Sequence, residues 1–153
     1  HNTRTYTMSL VTDKIFYSAL KANSTLVQTV EGRIYNTAIP LPDDECLNEP
    51  VPYIIISFDE LVNTGYTKDN SYEGCTDEVK ISIEVVANDR EQLGELTKTI
   101  RQTVIDFFES DDHTQAELEL IPNNYTFAAS QVNYDADKPC YFQTLTYNCD
   151  TNP

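Results

Sequence analysis

Two histidines and four cysteines are all that this 153-residue chain offers for nucleophilic or soft-metal chemistry, and neither set is spaced for it. Nucleophilic catalysis needs a nucleophile, a base and an orienting group in contact. His1 stands at a terminus and His113 in an acidic turn, neither beside a Gly-x-Ser-x-Gly elbow or a candidate catalytic cysteine. His113 therefore reads as a solvated loop residue. Cys46, Cys75, Cys140 and Cys149 contain no Cys-x-x-Cys pair, so the short paired spacings of a structural zinc site are missing. Cys140 and Cys149 flank an expected strand of about nine residues, which holds them too far apart to bridge each other. The reading is four reduced thiols. Asp43-Asp44-Glu45 could lend oxygens to Ca²⁺ or Mg²⁺, but the run lacks the alternating acids and central glycine of an EF-hand loop. It reads as a solvated acidic loop. With four glycines in the chain, a glycine-rich phosphate loop is hard to build. The expectation is no catalytic residue, no metal and no cofactor.

Charge is the strongest compositional bias. Twenty-five acidic residues oppose ten basic ones, a formal net charge of −15. Such a surface repels phosphate backbones, so the chain is a poor candidate for gripping nucleic acid. It suits a soluble protein, a partner for basic surfaces, or the wall of a passage through which DNA slides without sticking. The longest apolar run, Tyr53 to Ile56, falls far short of the roughly 20 residues that a membrane-spanning helix needs. No basic, then apolar, then small-residue leader is visible at the start. Residues 1–8 read as a flexible leader or tag, and residues 9–150 as a single domain.

The elements follow from periodicity. Ser9 reads as the N-cap of a helix carrying Leu10, Val11, Ile15, Tyr17 (or Phe16) and Leu20 at roughly helical spacing, and Thr25–Val30 as a short second turn. Gly32 breaks the pattern ahead of an extended Arg33-Ile34-Tyr35. Residues 36–52 hold four prolines and three consecutive acids, and read as an interaction loop. Pro50 and Pro52 force extended backbone before a strand over Tyr53–Phe58, apolar on both faces and so expected in mid-sheet, covered on both sides. Residues 59–76 read as a long polar excursion. Val79, Ile81, Ile83 and Val85 alternate with polar residues, a half-buried strand.

Asn88, with Glu91 three residues on, reads as a capping box for a long helix from Asp89 to about Glu109. Leu93, Leu96, Ile100, Val104 and Phe107 form its apolar stripe. Three β-like runs follow: Leu118–Ile121, Tyr125–Tyr134 and Tyr141–Cys149. The order predicts an α+β fold, a mainly antiparallel sheet with an N-terminal helix and one long helix packed on one face. Tyr125, Tyr134, Tyr141 and Tyr147 read as strand packing, and Tyr66 and Tyr72 as contacts with another chain.

This succession resembles the tail-completion, or tail-terminator, proteins of long-tailed bacteriophages, which join head to tail. The matching segments are Leu10–Leu20, Gly32–Tyr35, the proline-rich Pro40–Pro52, the strand Pro52–Phe58, Val79–Val86, Asp89–Phe108 and the aromatic Tyr141–Tyr147. The acidic insert Asp43–Glu49 and the 59–76 excursion depart from the pattern. The resemblance implies a virion structural component without catalysis. It would form a homo-oligomeric ring, commonly six-fold, that caps the tail tube, stops its growth and joins it to the head. Implied partners are further copies of the chain and the tail-tube and head-connector proteins. DNA would pass through the lumen without specific binding, and no membrane is involved. The implied location is the head-tail junction, with assembly in the bacterial host cytoplasm. Arg33, Tyr35, Asp43, Asp44, Glu45, Tyr66 and Tyr72 are then the expected subunit or partner contacts. Two rival readings are a neck or connector ring protein of a short-tailed phage and an acidic monomeric adaptor that binds a basic partner.

Overall fold

The computed structural model describes residues 9–39, 49–64 and 76–151. A 3₁₀ turn (Ser9–Val11) leads into α1 (Asp13–Lys21) and α2 (Ser24–Thr29). Then come β1 (Ile34–Asn36), β2 (Tyr53–Thr64), β3 (Thr76–Ala87), α3 (Arg90–Glu109) and α4 (Gln115–Leu120). The chain continues through β4 (Asn124–Ala129), β5 (Asn133–Asp135) and β6 (Cys140–Thr151). The sheet has six strands in the order β1-β2-β3-β6-β4, with β5 also pairing β6. Only β1 with β2 is parallel; every other pairing is antiparallel. The fold is α+β, with the helices packed on one face of a mainly antiparallel sheet.

Strict alternation in β3 sets the core. Val79, Ile81, Ile83 and Val85 are fully buried, and the register places Ile81 between Phe58 and Tyr147 and Ile83 between Ile56 and Leu145. From above, α1 supplies Ile15, Phe16 and Leu20, and α3 supplies Leu93, Leu96, Ile100 and Val104. Each such side chain contributes roughly 1.5–3 kcal/mol on burial. At the other end the core turns aromatic: the Phe16 ring lies 5.0 Å from Tyr147 and 5.3 Å from Phe108, and Phe127 lies 5.2 Å from Tyr147.

Several expectations are corrected. Ser9 caps no helix; it is buried, with its Oγ 2.7 Å from Thr151 Oγ1, and the first α-helix starts at Asp13. The cap of α3 is Asp89 rather than Asn88: its Oδ1 accepts from Gln92 N at 2.7 Å, while Gln92 Oε1 accepts from Asn88 N at 2.8 Å. The expected excursion begins and ends as strand, since β2 runs on to Thr64 and β3 opens at Thr76, with a bulge between Phe58 and Glu60. An outer edge needs few apolar residues, so polarity there concealed a strand. Leu118–Ile121 is not a strand. Thr114 and Glu117 form a reciprocal capping box that opens α4 instead. The run Tyr125–Tyr134 is two strands, parted where Ser130 N donates to Thr144 O.

β2 lies between β1 and β3 over Ile54–Ile56, as expected for a strand inside the sheet, but it is not covered equally on both faces. Ile54 and Ile56 are buried against the helices, whereas Tyr53, Ile55 and Ser57 are only half-buried.

Candidate interaction surface

Two residues expected at contacts, Arg33 and Tyr35, are placed by the turn after α2. Gly32 adopts a left-handed conformation (φ +77°), and its N–H donates to Val27 O at 2.8 Å, closing the helix. Arg33 follows directly, with Nε donating to Pro52 O at 3.0 Å and a guanidinium nitrogen 3.5 Å from Glu31. Its side chain is mostly buried, so it ties β1 to the start of β2.

Two more donors reach the same stretch of backbone. Lys138 Nζ donates to Glu49 O at 2.6 Å, and Asn88 Nδ2 donates to Val51 O at 3.3 Å. Residues 49–52 contain two prolines, which contribute no N–H of their own to the sheet. Side chains from three separate connections hold their carbonyls instead. The proline-rich segment is therefore anchored firmly at its exit.

Tyr35 lies on the sheet face away from the helices, beside Ile55. Its hydroxyl donates to Glu49 Oε1 at 2.8 Å, and burial together with that carboxylate pushes the phenol up to about 12. Lys138 stands 5.1 Å over the Tyr53 ring. Across this face the register builds rows: Tyr35, Ile55, Glu84, Thr144, then Tyr53, Val86, Phe142. Val86 and Cys140 are buried yet lie outside the main core cluster. Glu84 stands in the middle of the face. Burial holds its carboxyl above the usual range, and no described side chain hydrogen-bonds to it or pairs with its charge.

Asp43, Asp44, Glu45, Tyr66 and Tyr72 lie outside the described residues, as do Cys46 and Cys75. Of the C-terminal tyrosines, Tyr147 and Tyr125 pack in the core, whereas Tyr134 is 55% exposed against Tyr141. Cys140 and Cys149 are free, buried thiols, and burial raises Cys149 to about 12, which makes it inert.

His113 is not a solvated loop residue. Its side chain is 3% exposed, its ring lies 4.8 Å from Phe107, and its Nε2 donates to Phe107 O at 2.7 Å near the end of α3. Nδ1 lies 3.6 Å from Glu117 Oε1, too long for a hydrogen bond. The Thr114 backbone N–H, with His113 as a lesser contributor, holds the Glu117 carboxyl below its usual range. The arrangement packs the turn between α3 and α4 and presents no nucleophile to the imidazole. The sequence signal for it was the Thr-x-x-Glu box immediately after His113.

Open grooves lie along the helices. One of about 390 Å³ is lined by Thr97, Lys98, Arg101, Gln102 and Ile105, and neither it nor a shallower one beside Asn23 and Thr103 pairs a base with a nucleophile. Among the described residues, no group of three or more His, Cys, Asp and Glu side chains could hold a metal ion. No helix among them is long and apolar enough to cross a membrane. No protein-family model matches the chain, and no curated protein matches it.

Proposed function

We propose that this chain is a non-catalytic structural subunit of a bacteriophage virion that forms a homo-oligomeric ring, terminates the tail tube and joins it to the head. One observation carries the reading. A six-stranded sheet is covered by helices on one face, while the other face displays half-buried Tyr35, Tyr53, Ile55 and Phe142 around Glu84, which has no partner among the described residues. A face of this kind suits contact with another protein better than contact with water alone. The order α1, Gly32–Tyr35 step, β2, β3, α3 adds support, because it is the succession on which the family resemblance rests.

The net charge of −15 supports the same reading in two ways. An acidic lumen lets DNA pass with little adhesion, and acidic outer surfaces complement basic tube or connector subunits. Function then comes from surface complementarity, with no bond made or broken.

Light scattering on the purified chain at low and moderate salt, alone and with tail-tube protein, tests the reading. A discrete ring-sized particle, formed alone or on adding tube protein, is the expected result. A strict monomer under every condition overturns it and favours the acidic adaptor.

A further inference from the structure

The sheet is closed along one half of its length and open along the other. At the closed half, β1 pairs β2 at Ile54–Ile56 and β5 pairs β6 at Cys140–Phe142. At the open half, β2 from Ser57 onward has no strand on its outer side among the described residues, and neither does β4. The register puts these two free edges at the same level. One row runs Val62, Glu78, Asp150, Asn124; the next Glu60, Lys80, Asn148, Thr126; another Ser57, Ser82, Thr146, Ala128. Because the band β2-β3-β6-β4 is antiparallel throughout, β4 runs opposite to β2. A second copy placed alongside in the same orientation would bring its β2 beside β4 in the antiparallel sense.

The two edges differ in charge. Ile121 to Tyr134 contains no charged residue, in a chain that is 23% charged. The backbone of Tyr125, Phe127 and Ala129 faces outward from β4, since Ser130 N donates inward to Thr144 O and the ladder alternates. Nothing on this strand blunts its edge in the way natural edges usually are blunted. The β2 edge carries a bulge with the exposed acids Asp59 and Glu60. Two β2 edges would set acid against acid, which disfavours that pairing. The β4 edge offers no such clash. It lies beside Arg101, whose guanidinium is 4.4 Å from the Phe127 ring, and Lys98 lines the same groove as Arg101.

We propose that the free β2 edge of one copy pairs antiparallel, head to tail, with the free β4 edge of a second copy of this chain. The inference rests on the ring reading above and specifies its subunit contact: a heterologous interface, the kind that closes rings.

The test uses the full chain with Cys46 and Cys75 changed to Ser, leaving the two buried thiols in place. Glu60→Cys and Thr126→Cys, both at exposed positions in one row, are made singly and together. Each variant is oxidised with copper phenanthroline and run on non-reducing gels, with light scattering on the same samples. The double variant should give a covalent ladder up to ring size, and each single variant monomer only. Dimers from Thr126→Cys alone would show a two-fold β4 contact and overturn the proposal. A ring by light scattering with no ladder would overturn the edge pairing and leave the ring reading standing. The same samples are run with tail-tube protein added, and a monomer with no ladder in both sets would overturn both.

Discussion

The two faces of the sheet are made by the same strands and finished very differently. On the helix side, Ile54, Ile56, Ile81, Ile83 and Leu145 are buried beneath α1 and α3. On the other side, Ile55, Ser82, Glu84, Thr144 and Thr146 occupy the alternate positions and remain half-buried. One residue's shift along β2 separates a side chain locked in a close-packed core from one that meets the surface. Period two writes both faces at once, but a face is completed only by what packs on it. In this chain the helices complete one.

The sharpest way to break that contrast is to truncate neighbours on opposite faces. Ile56→Ala should cost about 2–5 kcal/mol in urea unfolding, through lost burial and a cavity under the helices. Ile55→Ala should cost less than about 1 kcal/mol, because its site is open enough to relax. Equal costs would mean that the outer face is as tightly packed as the core. Within the core, Tyr147 hides a hydroxyl that has no hydrogen-bond partner among the described residues. Tyr147→Phe removes that buried polar atom and keeps the ring contacts, so stability should rise by about 1 kcal/mol. A loss instead would reveal a partner for the hydroxyl.

The smallest expected effect belongs to the outer face. Glu84 has its carboxyl raised by burial, so the folded chain holds that proton to higher pH than the unfolded chain does. Its contribution to stability is present below the unfolded carboxyl range and lost as pH rises through the raised value. Glu84→Gln should therefore stabilise the chain near neutral pH by less than about 1 kcal/mol, since the site retains partial access to water. The advantage should vanish in acid. Urea titrations of both forms at acidic and neutral pH check this, and an advantage independent of pH would assign the gain to something other than ionisation.

Much of the architecture was legible because it is local. Arg90–Glu109 announces itself by its stripe of Leu93, Leu96, Ile100 and Val104, and β3 by alternation from Val79 to Val85. Short segments misled where two periods fit equally well. Leu118–Ile121 is too brief to separate helix from strand, and the Thr114–Glu117 box decided it. Asp59–Thr64 looked like loop because a strand at a sheet edge has no need of apolar residues. Of the expected contact residues, Arg33 and Tyr35 meet the segment 49–52 and Glu49, a pairing across sequence that no spacing rule displays.

By itself the sequence determined the long helix and the alternating strand, the apolar stripes of Ile, Val and Leu that build the core, and the strongly acidic charge. These follow from side-chain chemistry and from periods of 3.6 and 2. Only the tertiary structure decided that His113 is buried on Phe107 and that three donors clamp residues 49–52. Among the described residues, it also leaves the outer edges of β2 (from Ser57) and β4 without a neighbouring strand at the same level of the sheet. The physical reason is that these depend on which strand neighbours which. Strand order is settled by long-range packing after the local preferences have been satisfied.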